Sequence, residues 1–166
     1  AHALHVMESA PGIRAVWERM LAPTAPPDLR RFVEAFFAAA GDPDAVAVEE
    51  AFITRLALLQ AWGAFQERHP LILAPIATDI PGLAGSDLEE GRVAADIRTM
   101  RMAMAVNLLG LPAVAVPVGV AEGLPQAVQV IGPAFREDLC LDAAQAIEDR
   151  LGIITPIDPV LAGAAA

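Results

Sequence analysis

Apolar side chains recur at helical spacing through the first part of the chain, between residues 13 and 68. Intervals of three or four positions place them on one face of a helix. Two interruptions divide the segment: APTAPPD at 22–28, which has three prolines, and GDP at 41–43. Because proline cannot continue a helix, we expect three helices here. Asp28 stands where the first interruption ends and is suited to cap the second helix. The third helix is expected to begin at Asp44 or nearby.

Strand patterns occur in the second half. LILAPI at 71–76 is an uninterrupted apolar run, typical of a strand buried on both faces. A helix is predicted next, over about 88–108. GLPAVAVPVG (110–119) and GLPQAVQVIG (123–132) then resemble each other across a short gap that suits a β-hairpin. Pro117 cannot donate to a strand ladder, so we expect an edge or a bulge there.

A last helix is predicted after Pro133. Glu137 and Asp138 lie in its first turn, where carboxylates favour the helix dipole. Its buried face is predicted to carry Phe135, Leu139, Ala143, Ile147 and Leu151. Gly152 is placed to end the helix, and residues 153–166 form a tail rich in proline and alanine.

These elements predict an α/β, helix-rich fold with a few buried strands. Its segments are helices over about 13–68, a strand, loop and helix over about 71–108, a hairpin with the final helix over about 110–152, and the tail. The strands are too few to form a sheet with both faces covered. We therefore expect the remaining strands to lie in another piece of chain. We also expect extended apolar exposure at 71–76 and 114–118 in this piece alone.

Composition supports an incomplete core. Hydrophobic residues make up 55% of the 166, and mean hydropathy is +0.49, which is high for a free-standing soluble domain. The uncharged stretch 102–121 is long enough to span a membrane, but helix interiors tolerate its glycines, prolines and asparagine badly. We therefore favour a soluble chain over a helical, membrane-associated protein. One cysteine, Cys140, permits no internal disulfide and favours the cytoplasm.

Charge argues against several other classes of protein. The formal net charge is −10, and an acidic surface repels nucleic acid. His2, His5 and His69 lack the spacing of a zinc site, so we predict neither a metal nor another cofactor. Cys140 lies among apolar residues of a helix and is predicted to be an inert, buried thiol.

The segment from 107 to 133 carries the most specific motif. NLLGLPAVAVPVG (107–119), GLP (123–125) and VQVIGP (128–133) together resemble the C-terminal hallmark of amidase-signature enzymes. HPLILAP at 69–75 resembles a strand motif of the same family. The resemblance implies the C-terminal portion of a layered, mixed β-sheet covered by helices. It also implies a hydrolase that cleaves carboxamides to an acid plus ammonia or an amine.

Relatives in that family use a serine nucleophile, a bridging serine and a lysine base. This chain has no lysine, and its only serines, Ser9 and Ser86, lie outside any Gly/Ser-rich loop. We therefore assign no catalytic residue and expect the chain to be inactive alone, with the missing N-terminal part of the same fold as its partner. The alternative is a non-catalytic binding or scaffold module derived from that fold. A homo-oligomer is compatible with either interpretation.

The resemblance also indicates substrate-pocket candidates. In several relatives the helix before the asparagine of the NLxGLP motif lines the pocket, and the position seven before that asparagine touches substrate. Here that position is Met100, and Ile97 and Met104 share its helix face. Relatives that handle a glutamine-type substrate have an acid there, so a methionine favours a less polar amide. The alternative is that these side chains only fill the core.

Asn107, Gly110 and Pro112 are predicted to form a structural turn. Asn107 is the only asparagine in the chain. We expect its side chain to bond the backbone, end the helix and set up the Gly110–Leu111–Pro112 turn. The functional alternative is that Asn107 orients backbone near the pocket.

Overall fold

The computed structural model describes residues 6–7, 10–41, 43–80, 82–89, 91–121 and 123–152. The predicted tail at 153–166 and two of the three histidines, His2 and His5, therefore lie outside the described residues. The elements, in chain order, are α1 (Pro11–Val16, continued by a π-helical turn, Trp17–Leu21), α2 (Pro27–Ala40), α3 (Ala45–Gln66), β1 (Ile72–Pro75), a 3-10 turn (Ser86–Leu88), α4 (Arg92–Thr99), α5 (Arg101–Leu109), β2 (Ala113–Ala121), β3 (Leu124–Ile131) and α6 (Glu137–Leu151).

The predicted start of the third helix is confirmed, and the predicted cap of the second helix is wrong. The Ala47 N–H donates to Asp44 Oδ1 at 2.8 Å, so Asp44 caps α3. Helix α2 instead begins at Pro27, one residue before Asp28. Proline at the first helical position needs no N–H partner and already has a helical φ. Asp28 lies inside the first turn, where Arg31 Nη2 donates to its Oδ1 at 2.7 Å.

The three strands form one antiparallel sheet in the order β1–β3–β2. The predicted hairpin is confirmed as β2–β3, and its register shifts between Pro117 and Gly119. That irregularity lies where the missing N–H of Pro117 led us to expect an edge or a bulge.

Helices cover the two faces of the sheet unequally. On one face, Ile131 is fully buried in a cluster with Ala74 of β1 and Val106 of α5, against which Trp62 of α3 packs. Side chains alternate across a strand, so Val130 projects to the other face. There α6 packs on β2 and β3, and Val130 is buried. The sheet therefore lies between α3 and α5 on one side and α6 on the other.

The predicted apolar exposure is found in β1 and on one face of β2. Leu73 of β1 is 63% exposed, so β1 is not buried on both faces by this chain. In β2, Val114, Val116 and Val118 are buried or half-buried, because α6 packs on that face. Ala115 and Pro117, on the opposite face of β2, are exposed.

The predicted buried face of the last helix is correct only in its middle. Leu139, Ala143 and Ile147 are half-buried. Phe135 is 89% exposed and Leu151 is also exposed. Helix α6 begins at Glu137, and Phe135 precedes it with a left-handed φ of 62°, so the helical periodicity does not extend back to Phe135.

Candidate substrate pocket

The pocket candidates lie around a helix break that their spacing did not predict. The expected single helix over 88–108 is a 3-10 turn followed by α4 and α5, and Met100 separates the two helices with φ −84° and ψ 7°. The backbone N–H of Thr78 donates to the Thr99 carbonyl at 2.9 Å, and Thr78 Oγ1 donates to the same oxygen at 3.2 Å. In an uninterrupted helix that carbonyl would accept from residue 103. The loop after β1 therefore replaces one helical hydrogen bond at the break.

Ile97, Met100 and Met104 line one cavity, as their shared face predicted. Its volume is about 200 Å³, and Asn107 lines it too. From here it is called the apolar slot. The other lining residues are Phe32 and Phe36 of α2 and Val93 and Asp96 of α4. Contact between these residues and a substrate stays a prediction.

Two aromatic residues of the slot were missed as site residues by sequence reasoning. The rings of Phe32 and Phe36 are stacked with centroids 6.5 Å apart. Their spacing places them on the apolar stripe of α2, which predicts packing but not the partner. Nothing local in the sequence shows that α2 lies against α4, so the aromatic wall depends on a long-range contact.

The slot has little uncompensated charge. Its one carboxylate among the described lining residues belongs to Asp96, whose Oδ1 accepts from Arg92 Nε at 2.9 Å. Both side chains of this pair are about one-third exposed. The amide of Asn107 is the other polar side chain that lines the slot. An apolar group with a polar end matches such a lining better than a charged group does.

A second cavity adjoins the slot. It has a volume of about 320 Å³, and the loop between β1 and α4 forms much of its wall. Met100 and Asp96 line both cavities, so Met100 stands between them. Ser86 lines the second cavity, but the chain has no lysine to serve as its base.

The predicted turn after α5 is structural, although Asn107 does not act as expected. Gly110 adopts a left-handed conformation with φ 67° and ψ 38°. The N–H of Gly110 donates to the Asn107 carbonyl, and the N–H of Leu111 donates to the Val106 carbonyl, each at 3.2 Å. These two bonds form the Schellman arrangement, for which glycine is the preferred residue.

The side chain of Asn107 makes no hydrogen bond to any described residue, and it lines the slot instead. The expectation that this side chain ends the helix is therefore wrong, because the glycine supplies the conformation that the turn requires. Arg55 provides a further cap: its Nε donates to the Leu108 carbonyl at 2.6 Å and ties α3 to the end of α5.

Pro112 anchors the start of the hairpin. Its carbonyl accepts from the Gly132 N–H at 3.0 Å and from Cys140 Sγ at 3.6 Å. Cys140 is only 2% exposed, and burial raises the pKa of its thiol. A raised pKa disfavours the thiolate, which is the nucleophilic form. The contact of Cys140 Sγ with the Pro112 carbonyl joins α6 to the residue that precedes β2.

Metal-binding groups do not gather in the part of the chain that the structure describes. No cluster of three or more His, Cys, Asp or Glu side chains there could hold a metal ion. His69, the described histidine, packs its ring against Phe65 with centroids 4.8 Å apart. None of the helices in that part is both long enough and apolar enough to cross a membrane.

These features define part of an α/β layered protein with an apolar cavity between helices. The family model described as Amidase matches residues 5–141. The chain therefore belongs to the amidase signature family, as its motifs indicated.

Similar proteins support the family assignment. An indoleacetamide hydrolase of Bradyrhizobium diazoefficiens is 42% identical over 98 residues, which are 58% of this chain and 19% of that protein. A subunit of glutamyl-tRNA(Gln) amidotransferase from Nitratiruptor is 40% identical over 88 residues, 51% of this chain and 19% of that protein. Among solved structures, an allophanate hydrolase of Kluyveromyces lactis superimposes with a TM-score of 0.68 at 22% identity, over 91% of this chain and 26% of its own. The chain spans about a fifth of the length of the curated relatives that it matches.

Proposed function

We propose that this chain is the C-terminal portion of an amidase and forms one wall of its substrate pocket. The longer protein is called the parent amidase below. It would cleave small, predominantly apolar carboxamides to an acid plus ammonia or an amine. The observation that carries the proposal is the apolar slot, where the three predicted pocket residues meet two aromatic rings.

The size and lining of the slot support an aryl or short alkyl group as its occupant. An apolar cavity of about 150 Å³ is enough to hold a benzene ring, and the slot measures about 200 Å³. The methionines and phenylalanines contribute polarizable, adaptable surface. An aryl acetamide, the class named for the indoleacetamide hydrolase relative, combines such a group with a small polar end.

The catalytic groups are proposed to lie elsewhere in the parent amidase. A serine nucleophile needs a base and an oxyanion hole. This chain contributes no lysine, and its Ser86 lies in the second cavity without one. The residues described here would bind and orient the acyl group, while the rest of the fold performs the acyl transfer.

Replacing Met100 in the parent amidase tests this proposal. Met100 lines the slot although it is 41% exposed in this chain, so Met100→Glu places a carboxylate where a bound apolar group would have to displace the water around it. We expect kcat/KM for phenylacetamide and indole-3-acetamide to fall by roughly tenfold or more, which corresponds to about 1.4 kcal/mol. Met20→Glu is the matched control, because Met20 is exposed on the π-helical turn and does not line the slot.

Equal losses in the Met100 and Met20 variants would contradict the pocket assignment. If the unaltered parent protein hydrolyses no carboxamide, the alternative of a non-catalytic binding or scaffold module is favoured instead. Preference for glutamine over both aryl acetamides would reject the apolar substrate class while retaining the family.

A further inference from the structure

We propose that Thr78 is a positioning residue that sets the selectivity of the slot by fixing Met100 between the two cavities. The inference rests on the proposed function and extends it. Thr78 does not line the apolar slot. It would act through the Thr99 carbonyl, on which the break between α4 and α5 depends.

At the break, the Thr99 carbonyl is the acceptor that has a long-range partner. The Met100 N–H donates to Asp96 O at 2.9 Å and closes α4, and the Met104 N–H donates to Met100 O at 2.9 Å and opens α5. Helical bonding therefore ends with the Met100 N–H on one side and begins again with the Met100 carbonyl on the other. At the Thr99 carbonyl between them, the partner is Thr78, which lies 21 positions away in sequence and donates from both its N–H and its hydroxyl.

The sheet anchors the segment that carries Thr78. Gln129 of β3 is buried, and its Nε2 donates to the Pro75 carbonyl at 2.9 Å, at the end of β1. Thr78 follows only three residues later. A continuous connection therefore runs from the central strand through the end of β1 to the Thr99 carbonyl, and the position of Met100 depends on it.

The position of Met100 should be sensitive to a change in that connection. It lines both cavities, and its own side chain is flexible, with three rotatable bonds. Its backbone conformation, φ −84° and ψ 7°, is the one with which α4 ends, so its position follows the position of that helix end. Loosening the Thr78 contact would let the wall move and join the slot to the second cavity, which would favour bulkier acyl groups.

The test measures selectivity in the parent amidase. The quantity is the ratio of kcat/KM for phenylacetamide to kcat/KM for propionamide. Thr78→Val keeps the branched shape and removes the hydroxyl, and we expect the ratio to rise by about threefold to tenfold, the range of one hydrogen bond. Thr78→Ser restores the hydroxyl and should leave the ratio within about twofold of the unaltered enzyme. If the valine variant does not fold, Thr78→Ala replaces it with the same expectation.

Thr24 provides a matched control. Its hydroxyl also donates to a backbone carbonyl, that of Leu21 at 3.3 Å, but it lines neither cavity. Thr24→Val should leave the ratio unchanged. An equal change in the Thr24 and Thr78 variants would overturn the inference, because it would show a general effect of losing a hydroxyl.

A double-mutant cycle separates this inference from the proposed function. Met100→Ala should raise the ratio by itself, and in that background Thr78→Val should add nothing, because the wall it positions is gone. No change in the ratio with Met100→Ala would defeat the proposed function. A change with Met100→Ala but none with Thr78→Val, or fully additive changes, would defeat the positioning role alone.

Discussion

Helix α3 and the unit formed by β2, β3 and α6 are both rich in apolar residues, but the second buries a core of its own, although four of its large apolar side chains remain exposed, namely Val120, Leu124, Leu141 and Leu151. Val116, Val130 and Cys140 are buried within that unit. In contrast, α3 runs for 22 residues with six large apolar side chains exposed, namely Val46, Phe52, Ile53, Leu56, Leu58 and Phe65. Two buried donors of α3, Trp62 Nε1 and Gln66 Nε2, have no hydrogen-bond partner among the residues that the structure describes.

The difference indicates that α3, more than the hairpin and α6, requires other protein atoms to cover its apolar side chains and to accept hydrogen bonds from its buried donors. A helix that is apolar on all sides is typical of the interior of a larger protein, and buried donors without acceptors destabilise a fold. The chain spans about a fifth of its curated relatives. We therefore infer that the rest of the parent amidase covers α3, whereas the hairpin and α6 form a buried core without it.

The largest expected effect compares two isoleucines. Ile131 is fully buried, and Ile53 is 66% exposed on α3. In the 166-residue chain, Ile131→Ala should lower the free energy of unfolding by about 2–5 kcal/mol, while Ile53→Ala changes it by less than about 0.5 kcal/mol. Urea titration followed by circular dichroism measures both values.

In the parent amidase the same isoleucine pair should behave alike, since α3 is then covered and Ile53→Ala also removes buried methyl groups. If Ile53→Ala remains neutral there, α3 is exposed in the whole protein and the comparison fails.

Replacing either of two glycines by alanine should change the free energy of unfolding by a smaller amount, and the two changes should have opposite signs. A Cβ on Gly132 would lie 2.5 Å from Cys140 Sγ and 3.3 Å from the Arg136 carbonyl, so Gly132→Ala should destabilise the chain by about 1–3 kcal/mol. Gly63, inside α3, has nothing within 4 Å of such a Cβ, and Gly63→Ala should stabilise it by up to about 1 kcal/mol. Thermal unfolding of both variants checks the signs, and a loss of stability with Gly63→Ala would place an unseen contact on α3.

The smallest effect is the pH dependence that Cys140 contributes. Burial raises the pKa of its thiol, so folding favours the protonated form. Its contribution is complete below the ordinary thiol pKa of about 8.5 and is lost as pH rises through the raised value. Stability of the unaltered chain should therefore fall more between pH 8 and 10 than that of Cys140→Ala. Parallel pH profiles for the two proteins would show that the thiol does not titrate in a buried position.

Sequence patterns predicted the features that depend on neighbouring residues. The hairpin followed from two similar segments separated by a short gap, and the start of α3 near Asp44 followed from the interruption at 41–43. The helix break at Met100 could not be predicted in this way, because the Thr78 hydroxyl that donates to the Thr99 carbonyl lies on a separate loop. The periodicity over 88–108 predicts one helix. It cannot show that the Thr99 carbonyl accepts a hydrogen bond from a distant loop instead of from the next helical turn.

The candidate site was predictable to a similar extent. Spacing brought Ile97, Met100 and Met104 to one face, and the structure places them in one slot. The aromatic wall from α2 could not be predicted, because helix-to-helix packing joins residues more than sixty positions apart. Asn107 was misjudged because Gly110 alone supplies the left-handed conformation that ends α5.

The most direct test of the account is amide hydrolysis by the 166-residue chain beside the parent amidase, with phenylacetamide as substrate and released ammonia as the measured product. We expect turnover by the parent protein and none above the buffer blank by the chain alone, because the chain is proposed to supply only a pocket wall and contains no lysine to act as the base. Turnover by the chain alone that disappears in Ser86→Ala would contradict this, since it would place a complete catalytic centre in the second cavity.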